Sequence, residues 1–227
     1  MERENGMKKY IIIIMIGVFL TSAVLCFGQE SNEPEQSMEE FLQEYEGPGS
    51  DDYLMLLYEG SYENQILALQ KLREAGTGGE EVVKGLIFGL HQGTFFVKRE
   101  NNKVANDFWD VRAMSAQALG ELAEPDDAQV LYELHMTLRY DPEPAVRSAA
   151  AVGLGKLGNE KSVYHLSRAI QVAIPGGQDD FVVYACVEAI GEIGTRECLL
   201  PLIEVMRGRF RRTIKIAARD ALKNIEW

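Results

Sequence analysis

Residue types that often carry chemistry are scarce in this chain. Its 227 residues include three cysteines and three histidines, and they contain neither a CxxC pair nor an HExxH motif. A disulfide-rich scaffold needs more cysteines, and a structural zinc site needs closely spaced thiols or imidazoles. The sequence therefore predicts no metal and no cofactor. Its histidines lie far apart: His91, His135 and His165.

Cysteine pairing is also not expected. Cys26 lies in an N-terminal segment discussed below, which leaves Cys186 and Cys198. These two flank a turn at Gly194 and fall several residues out of register across it, beyond the ~7 Å Cα separation that a bridge allows. We expect two free, largely buried thiols.

Positive charge is absent from one long stretch. The chain carries a formal net charge of −12, and residues 29–52 hold nine acidic residues and no lysine or arginine. We interpret 29–50 as an acidic flexible linker. Lysines and arginines instead collect near the C-terminus, between Arg207 and Lys223. A patch there could contact an anionic membrane or partner. Nucleic acid is not expected as a partner, because the export predicted below would separate the protein from it and the repeat region as a whole is not basic.

The long apolar run of this chain lies near its start. Lys8 and Lys9 precede the apolar residues Tyr10–Phe27, and polar sequence begins at Gln29. A basic stretch, an apolar core and small residues at its end are typical of a secretory signal peptide, here 1–28 with cleavage after Gly28. An uncleaved N-terminal membrane anchor over 10–27 and lipidation at Cys26 are the alternatives. Each predicts an exported protein, periplasmic, secreted or anchored to the membrane.

A short motif recurs five times in the remaining chain. It reads ALQKL, ALGEL, GLGKL, AIGEI and ALKNI, and its second residues are Leu69, Leu119, Leu154, Ile190 and Leu222. The spacings are therefore 50, 35, 36 and 32 residues. Apolar residues also stand eight and four positions before most of these anchors, which is one face of a helix. A period in the thirties predicts an array of helical repeats.

Each of the first four motifs is followed by a turn and a second apolar-periodic run. The runs are 80–91, 126–139, 161–172 and 196–207, so the repeating unit is helix, turn, helix. The acid pairs Asp126-Asp127 and Asp179-Asp180 precede helices, and we interpret them as N-caps. Gly153, Gly155 and Gly158 spell GxGxxG, but they fall at the end of a helix rather than at its start. A nucleotide site is therefore not predicted.

The segment DPEPAVRSAAAVGLGKLG, residues 141–158, resembles a HEAT-like repeat of the type found also in phycobilisome bilin lyases. Residues 110–122 are a second similar copy. The resemblance covers residues 51–227 and implies an all-α fold, an α-α solenoid of about four to five repeats. It implies further that the second helices line a concave surface.

The first interval is about 15 residues longer than the others, which predicts an insertion at 93–110. Two aromatic pairs flank a polar tip at Asn101-Asn102, as expected for a β-hairpin or long loop with the turn at those asparagines. The insertion either forms a functional surface or seals the junction between repeats with its aromatics. These aromatics are Phe95, Phe96, Phe108 and Trp109.

Outward-facing positions of the second helices form the candidate binding surface. They lie two residues before, two after or five after the core leucines of these helices, which is 140–200° from the core direction on an ideal helix. Aromatic residues, methionine and arginine, which interfaces favour, occur repeatedly there. The alternative is that the insertion or the solenoid itself buries several of them. The candidates are Phe88, Tyr132, Met136, Arg139, Tyr164, Arg168, Leu200 and Arg207.

Together these features favour a non-catalytic scaffold of the bacterial cell envelope that binds a protein or peptide through its concave face. No catalytic constellation is legible in the sequence. One alternative is an enzyme or ligand carrier similar to the bilin lyases, whose pocket would use Tyr132, Tyr164, Arg168 and Asp141. A purely structural envelope protein is the other.

Overall fold

The computed structural model describes residues 49–225, and the predicted signal segment and most of the acidic linker lie outside this range. The described part is mostly helical, with one small hairpin. Its elements are α1 Ser50–Glu59, α2 Tyr62–Ala75, α3 Glu80–Leu90, β1 Arg99–Glu100, β2 Lys103–Val104, α4 Trp109–Leu122, α5 Ala128–Tyr140, α6 Pro144–Leu157, α7 Ser162–Val172, α8 Asp180–Ile193, α9 Leu199–Arg207 and α10 Arg212–Ala221. Short 3₁₀ turns precede α9, at Arg196–Cys198, and follow α10, at Leu222–Asn224.

The helices form two layers. The five recurring motifs lie on α2, α4, α6, α8 and α10, which we call the first helices, and the fifth motif extends into the turn after α10. Successive first helices pack against each other. The second helices are α3, α5, α7 and α9, and each packs against the first helix that follows it. The motif leucines Leu69, Leu119 and Leu154 are fully buried between these layers. The predicted all-α solenoid of helix pairs is confirmed.

Glycines let two of the first helices approach very closely. A Cβ added at Gly120 would lie 2.3 Å from the Cα of Gly153, and one added at Gly153 would lie 2.5 Å from the carbonyl oxygen of Ala116. Gly158 ends α6 in the left-handed conformation at φ 67°. The GxGxxG spelling is therefore explained by helix packing and a helix C-cap.

A polar contact recurs at the start of the first helices. The residue seven positions before the motif anchor reaches an acid near the start of the next first helix. Tyr62 bonds Asp110 in this way, Arg112 bonds Asp141 and Arg147 bonds Asp179. The arginines of Val111-Arg112 and Val146-Arg147 thus tie α4 to α6 and α6 to α8, in addition to the apolar packing.

Two of the predicted N-caps have different outcomes. Asp127 caps α5, since its carboxylate accepts hydrogen bonds from the backbone N–H groups of Gln129 and Val130. The capping interpretation of Asp179 is wrong, because its side chain makes no cap bond to α8. It lies 2.5 Å from Nη2 of Arg147 instead. The carboxylate of Asp179 thus pairs with the guanidinium of Arg147 and not with the backbone N–H groups of α8.

The insertion contains the hairpin. Strands β1 and β2 pair antiparallel, and Asn101 and Asn102 lie at the turn with φ of 50° and 64°. Two successive residues at positive φ are the requirement of a type I′ turn, and asparagine tolerates it. The hairpin with its turn at these asparagines is confirmed. Trp109 and Asp110 already belong to α4, so the irregular segment ends two residues earlier than predicted, at Phe108.

Buried polar groups hold the two arms of the insertion together. Asn106 donates to the side-chain oxygen of Gln92 at 2.7 Å and to the carbonyl of Phe96 at 2.8 Å, and it accepts from the N–H of Lys98 at 2.8 Å. Each of these bonds closes a loop within residues 92–106. Because Asn106 is buried, these bonds fix the path of both arms of the hairpin.

Arg112 is the largest fully buried side chain among the described residues. Its Nε lies 2.9 Å from Asp141, and its Nη1 donates to Asp107 at 2.7 Å and to the carbonyl of Gln92 at 3.0 Å. Burial opposes the charge of Arg112, but the hydrogen bonds to Asp107 and Asp141 outweigh it and raise the pKa of the guanidinium. This cluster joins α4, α6 and the insertion around one cation.

Both cysteines of the repeat region are free and buried, as predicted. Burial raises the pKa of the Cys186 thiol to about 12, and it also raises the pKa of Cys198. Neither thiol is therefore a nucleophile at neutral pH. Between residues 49 and 225 no helix is both long and apolar enough to span a bilayer. The predicted anchor at 10–27 lies outside these residues.

Candidate binding clefts on the second helices

The candidate site lies where α5 and α7 run side by side. Leu134 and Leu166 are the fully buried core residues of these helices. Tyr132 stands two positions before Leu134, and Tyr164 two before Leu166, so both side chains face away from the core. They are 59% and 71% exposed, respectively. The predicted outward direction of these two tyrosines is thus observed.

The larger of two clefts here, which we call the cationic cleft, has a volume of about 470 Å³. Residues of α5 and α7, the loop after α7 and the starts of α6 and α8 form its walls. Arg139, Tyr164 and Arg168 line it, and so does Val172. Arg147 and Asp179 form one of its walls as an ion pair.

A second cleft of about 390 Å³, which we call the adjoining cleft, contains the other half of the predicted surface. Tyr132 and Met136 line it, and Lys161 closes one side. Arg139 contributes to both clefts. The structure therefore brings five predicted residues together across two helices, in two clefts that share a wall: Tyr132, Met136, Arg139, Tyr164 and Arg168.

Three predicted residues lie elsewhere. Phe88 is half-buried, with its ring centroid 4.9 Å from that of Tyr58 and 5.0 Å from that of Phe96. The insertion thus covers Phe88, which is the alternative that the sequence left open. Leu200 and Arg207 are exposed on α9, and neither lines the two clefts.

Of the four aromatic residues of the insertion, two are packed against the repeats and two are more exposed. Phe96 packs on Phe88, and the ring of Phe108 lies 5.0 Å from that of Tyr62, so these two contribute to the junction between repeats. Phe95 is 74% exposed and Trp109 49% exposed. The insertion both seals a junction and presents aromatic surface.

The wall shared by the two clefts is a pair of stacked histidines that the sequence reading missed. The rings of His135 and His165 lie 3.8 Å apart and only 9° from parallel. The Nε2 atom of His135 lies 3.1 Å from Oγ of the buried Ser162. Treating the histidines as scattered was wrong, because 30 residues is nearly one repeat. Alignment on Leu134 and Leu166 would have placed His135 and His165 on the facing flanks of adjacent helices.

Both histidines are held in the neutral form. Burial, followed by the neighbouring His165, lowers the pKa of His135 to about 4. Burial, followed by the charge of Arg139, lowers the pKa of His165. At neutral pH the pair therefore presents flat, uncharged rings, and the positive charge of the clefts comes from arginine and lysine.

Asp141, which a lyase-like pocket would have used, lies outside both clefts. It is buried against Arg112 and accepts a hydrogen bond from the N–H of Glu143 at 2.9 Å. Its role is thus to hold the start of α6. Within residues 49–225 no three histidine, cysteine or acidic side chains converge as metal ligands.

Comparison with known proteins supports the fold. The complex of CpcE and CpcF of phycocyanin lyase from Nostoc sp. PCC7120 has a similar structure, with a TM-score of 0.56. The alignment covers 87% of this chain and 70% of that chain at 19% identity, so the likeness concerns the fold alone. No curated protein matches the chain.

Residues 103–175 and 138–223 match the sequence pattern of HEAT repeats. The two matches overlap and together span more than half of the chain, from the hairpin to the last helix. They coincide with the helix pairs described above, in which glycine and Val-Arg positions join successive first helices. The chain belongs to the HEAT-repeat family.

Proposed function

We propose that this HEAT-repeat scaffold binds a protein or peptide through the surface formed by its second helices, the concave face that the family resemblance implies. The observation that carries the proposal is the pair of adjoining clefts on α5 and α7. Their exposed tyrosines and arginines are the residue types that dominate binding energy in protein interfaces. A solenoid presents such residues on successive repeats, so an extended partner can contact several of them at once.

The test removes the aromatic surface and leaves the fold intact. A Tyr132→Ala/Tyr164→Ala double variant should lose proteins that the wild type captures after cross-linking in its native cells, measured by quantitative mass spectrometry. Tyr184→Ala is the matched control, because Tyr184 is a partly exposed tyrosine on the first helix α8. Retention of every partner by the double variant would refute the proposal. Absence of any partner for the wild type would favour a purely structural role.

We propose further that the protein is exported and acts in the bacterial cell envelope. The support is the basic and apolar segment at 1–28, followed by acidic sequence. When the whole chain is expressed in a bacterial host, N-terminal sequencing of the protein outside the cytoplasm should begin at Gln29. Recovery of the uncleaved chain in the membrane fraction indicates the anchor instead, and recovery in the cytoplasm contradicts export.

A ligand-carrying or enzymatic role is the second candidate. Its support is the fold likeness to phycocyanin lyase and a cleft large enough for part of an open-chain tetrapyrrole, with Tyr164, Arg168 and His165 as polar groups. Titration of the protein with a bilin should then shift the visible absorption of the pigment, and Arg168→Gln should weaken the shift. An unchanged spectrum at saturating protein would exclude this candidate.

A further inference from the structure

We propose that the clefts take an acidic segment of the partner, with its carboxylates on Arg139 and Arg168 and its apolar side chains on the aromatic rings that line the same clefts. The inference rests on the proposed function and adds the chemistry of the partner. It follows from the balance of charge in the clefts, the neutral histidine wall and the spacing of the helices.

The balance of charge in the cationic cleft is positive. Three arginines and one carboxylate line it, and that carboxylate, Asp179, is engaged by Arg147 at 2.5 Å. Among the described residues, no carboxylate pairs with Arg139 or Arg168. The guanidinium of Arg139 lies over the ring of Tyr140, 4.9 Å from its centroid, and this contact uses no hydrogen-bond acceptor. Two arginines in one cleft are therefore available for an anion.

The adjoining cleft extends this pattern. Its cations are Arg139 and Lys161, and its acid is Asp126, which accepts a hydrogen bond from Asn159 at 2.9 Å. Lys161 makes no ion pair among residues 49–225. The free cations thus follow the two clefts from one helix to the next, on a protein whose net charge is −12. Clefts that concentrate one sign of charge attract ligands of the opposite sign.

The neutral histidine pair adds uncharged aromatic surface next to the cations of the clefts. Tyr164 meets His165 edge to face with ring centroids 5.3 Å apart, and His165 stacks on His135. The three rings form a continuous, uncharged aromatic strip in the wall of the clefts. A segment that alternates acidic and apolar residues would match this arrangement, whereas a uniformly charged polymer would leave the rings uncovered.

The distance along the surface sets the length of the segment. Neighbouring helices pack about 10 Å apart, so the clefts beside α5 and α7 together span roughly 20 Å. An extended chain rises about 3.3 Å per residue, which corresponds to roughly six residues. Carboxylates and guanidinium groups pair with directional, charge-assisted hydrogen bonds, and these give such a short segment its specificity.

The probe is therefore a fluorescein-labelled hexapeptide of alternating glutamate and leucine, and its counterpart has glutamine in place of glutamate. Fluorescence anisotropy with the purified repeat-containing protein should show about tenfold tighter binding of the glutamate peptide at low salt. The advantage should shrink as ionic strength rises, because the cations are solvent-exposed.

Variants assign the effect to the clefts. Arg139→Gln/Arg168→Gln should abolish the preference for glutamate, whereas Arg212→Gln/Arg219→Gln changes the net charge equally on α10 and should keep it. Equal loss in both double variants would overturn the inference in favour of a diffuse charge effect. Inorganic polyphosphate competing as well as the glutamate peptide would overturn it too, since the aromatic strip would then contribute nothing.

The two proposals can fail separately. If the glutamate and glutamine peptides bind equally while the Tyr132→Ala/Tyr164→Ala variant loses cellular partners, the surface binds proteins but the acidic chemistry is wrong. If the glutamate preference is present but that tyrosine variant retains every cellular partner, then an acidic segment binds these clefts without being the recognition element of a partner.

Discussion

The two helix layers use the same residue types for opposite purposes. On the first helices, Arg112 and Arg147 are bonded to aspartates, and glycines bring α4 and α6 into backbone contact. On the second helices, Arg139 and Arg168 have no acidic partner within residues 49–225, and tyrosines replace the small residues at the surface. The first layer thus joins successive repeats, and the second layer leaves cations unpaired at its surface.

This difference shows how a repeat protein separates stability from recognition. A buried ion pair is tolerated when every donor is satisfied, as around Arg112, and its loss leaves a buried charge without a partner. An exposed arginine contributes little to folding, so it can be selected for what it binds. Four changes would break or sharpen this division, beginning with the largest expected effect.

Arg112→Ala should be the most damaging substitution in the first layer. It leaves Asp141 buried without its cation and frees the carbonyl of Gln92, so the free energy of unfolding should fall by about 3–5 kcal/mol. Urea unfolding followed by circular dichroism measures the change. Arg168→Ala in the second layer is the control and should alter stability by less than about 0.5 kcal/mol. Similar losses in the two variants would remove the distinction between the layers.

Gly153→Ala should destabilise the first layer by about 2 kcal/mol. The new methyl group would meet the carbonyl oxygen of Ala116 at 2.5 Å, and backbone of an adjacent helix cannot move aside easily. The better helix propensity of alanine offsets only part of this cost. The control is Gly49→Ala, where an added Cβ has no atom within 4 Å. Thermal unfolding that is unchanged by Gly153→Ala would show that the helices are not closely packed here.

Acid should weaken the second layer through His135. Its pKa is about 4 in the fold against 6.5 ordinarily, so the unfolded chain binds the proton more readily. Stability from this group is complete above pH 6.5 and declines as the pH falls towards 4, by about 1–2 kcal/mol after allowance for partial exposure. His135→Phe, which keeps a ring beside His165 but cannot be protonated, should flatten the decline. An equal slope in wild type and variant would contradict this.

Acid should also weaken the first layer, at lower pH, through the carboxylate of Glu121. Glu121 bonds Arg73 at 2.7 Å and also bonds Lys156, so Arg73 first and then Lys156 lower its pKa to about 2. Its stabilisation is present above the ordinary pKa of 4.5 and is lost as the pH falls towards 2. Because solvent screens the pair, Glu121→Gln should remove about 1 kcal/mol at pH 7 and nothing at pH 2. Urea midpoints across this pH range would reveal it.

The fold could be predicted from the sequence because the repeated motif and its spacing are visible in the sequence itself. Helix boundaries follow from the apolar period and the turns, and the predicted run 161–172 differs from α7 by one residue. The hairpin followed from two asparagines between aromatic pairs. The GxGxxG motif could also be recognised as part of a helix, because glycines at the C-terminal end of a helix do not form a phosphate-binding site.

The candidate site was only partly legible. The outward direction of Tyr132 and Tyr164 follows from helix geometry alone, but the sequence gives no sign of which neighbouring element covers a residue. Phe88 has the same offset from its core leucine as Met136 has, yet the insertion packs on Phe88 and leaves Met136 in a cleft.

By itself, the sequence determined the helix pairs, their number and the residues that face outward, since these depend on local periodicity. Only the tertiary structure decided that His135 stacks on His165, that Asp179 pairs with Arg147 instead of capping α8, and that Arg139 and Arg168 have no acidic partner among residues 49–225. Those outcomes depend on which side chains of different repeats come within a few ångströms of each other. Such distances are fixed by helix packing, whose geometry no single repeat encodes.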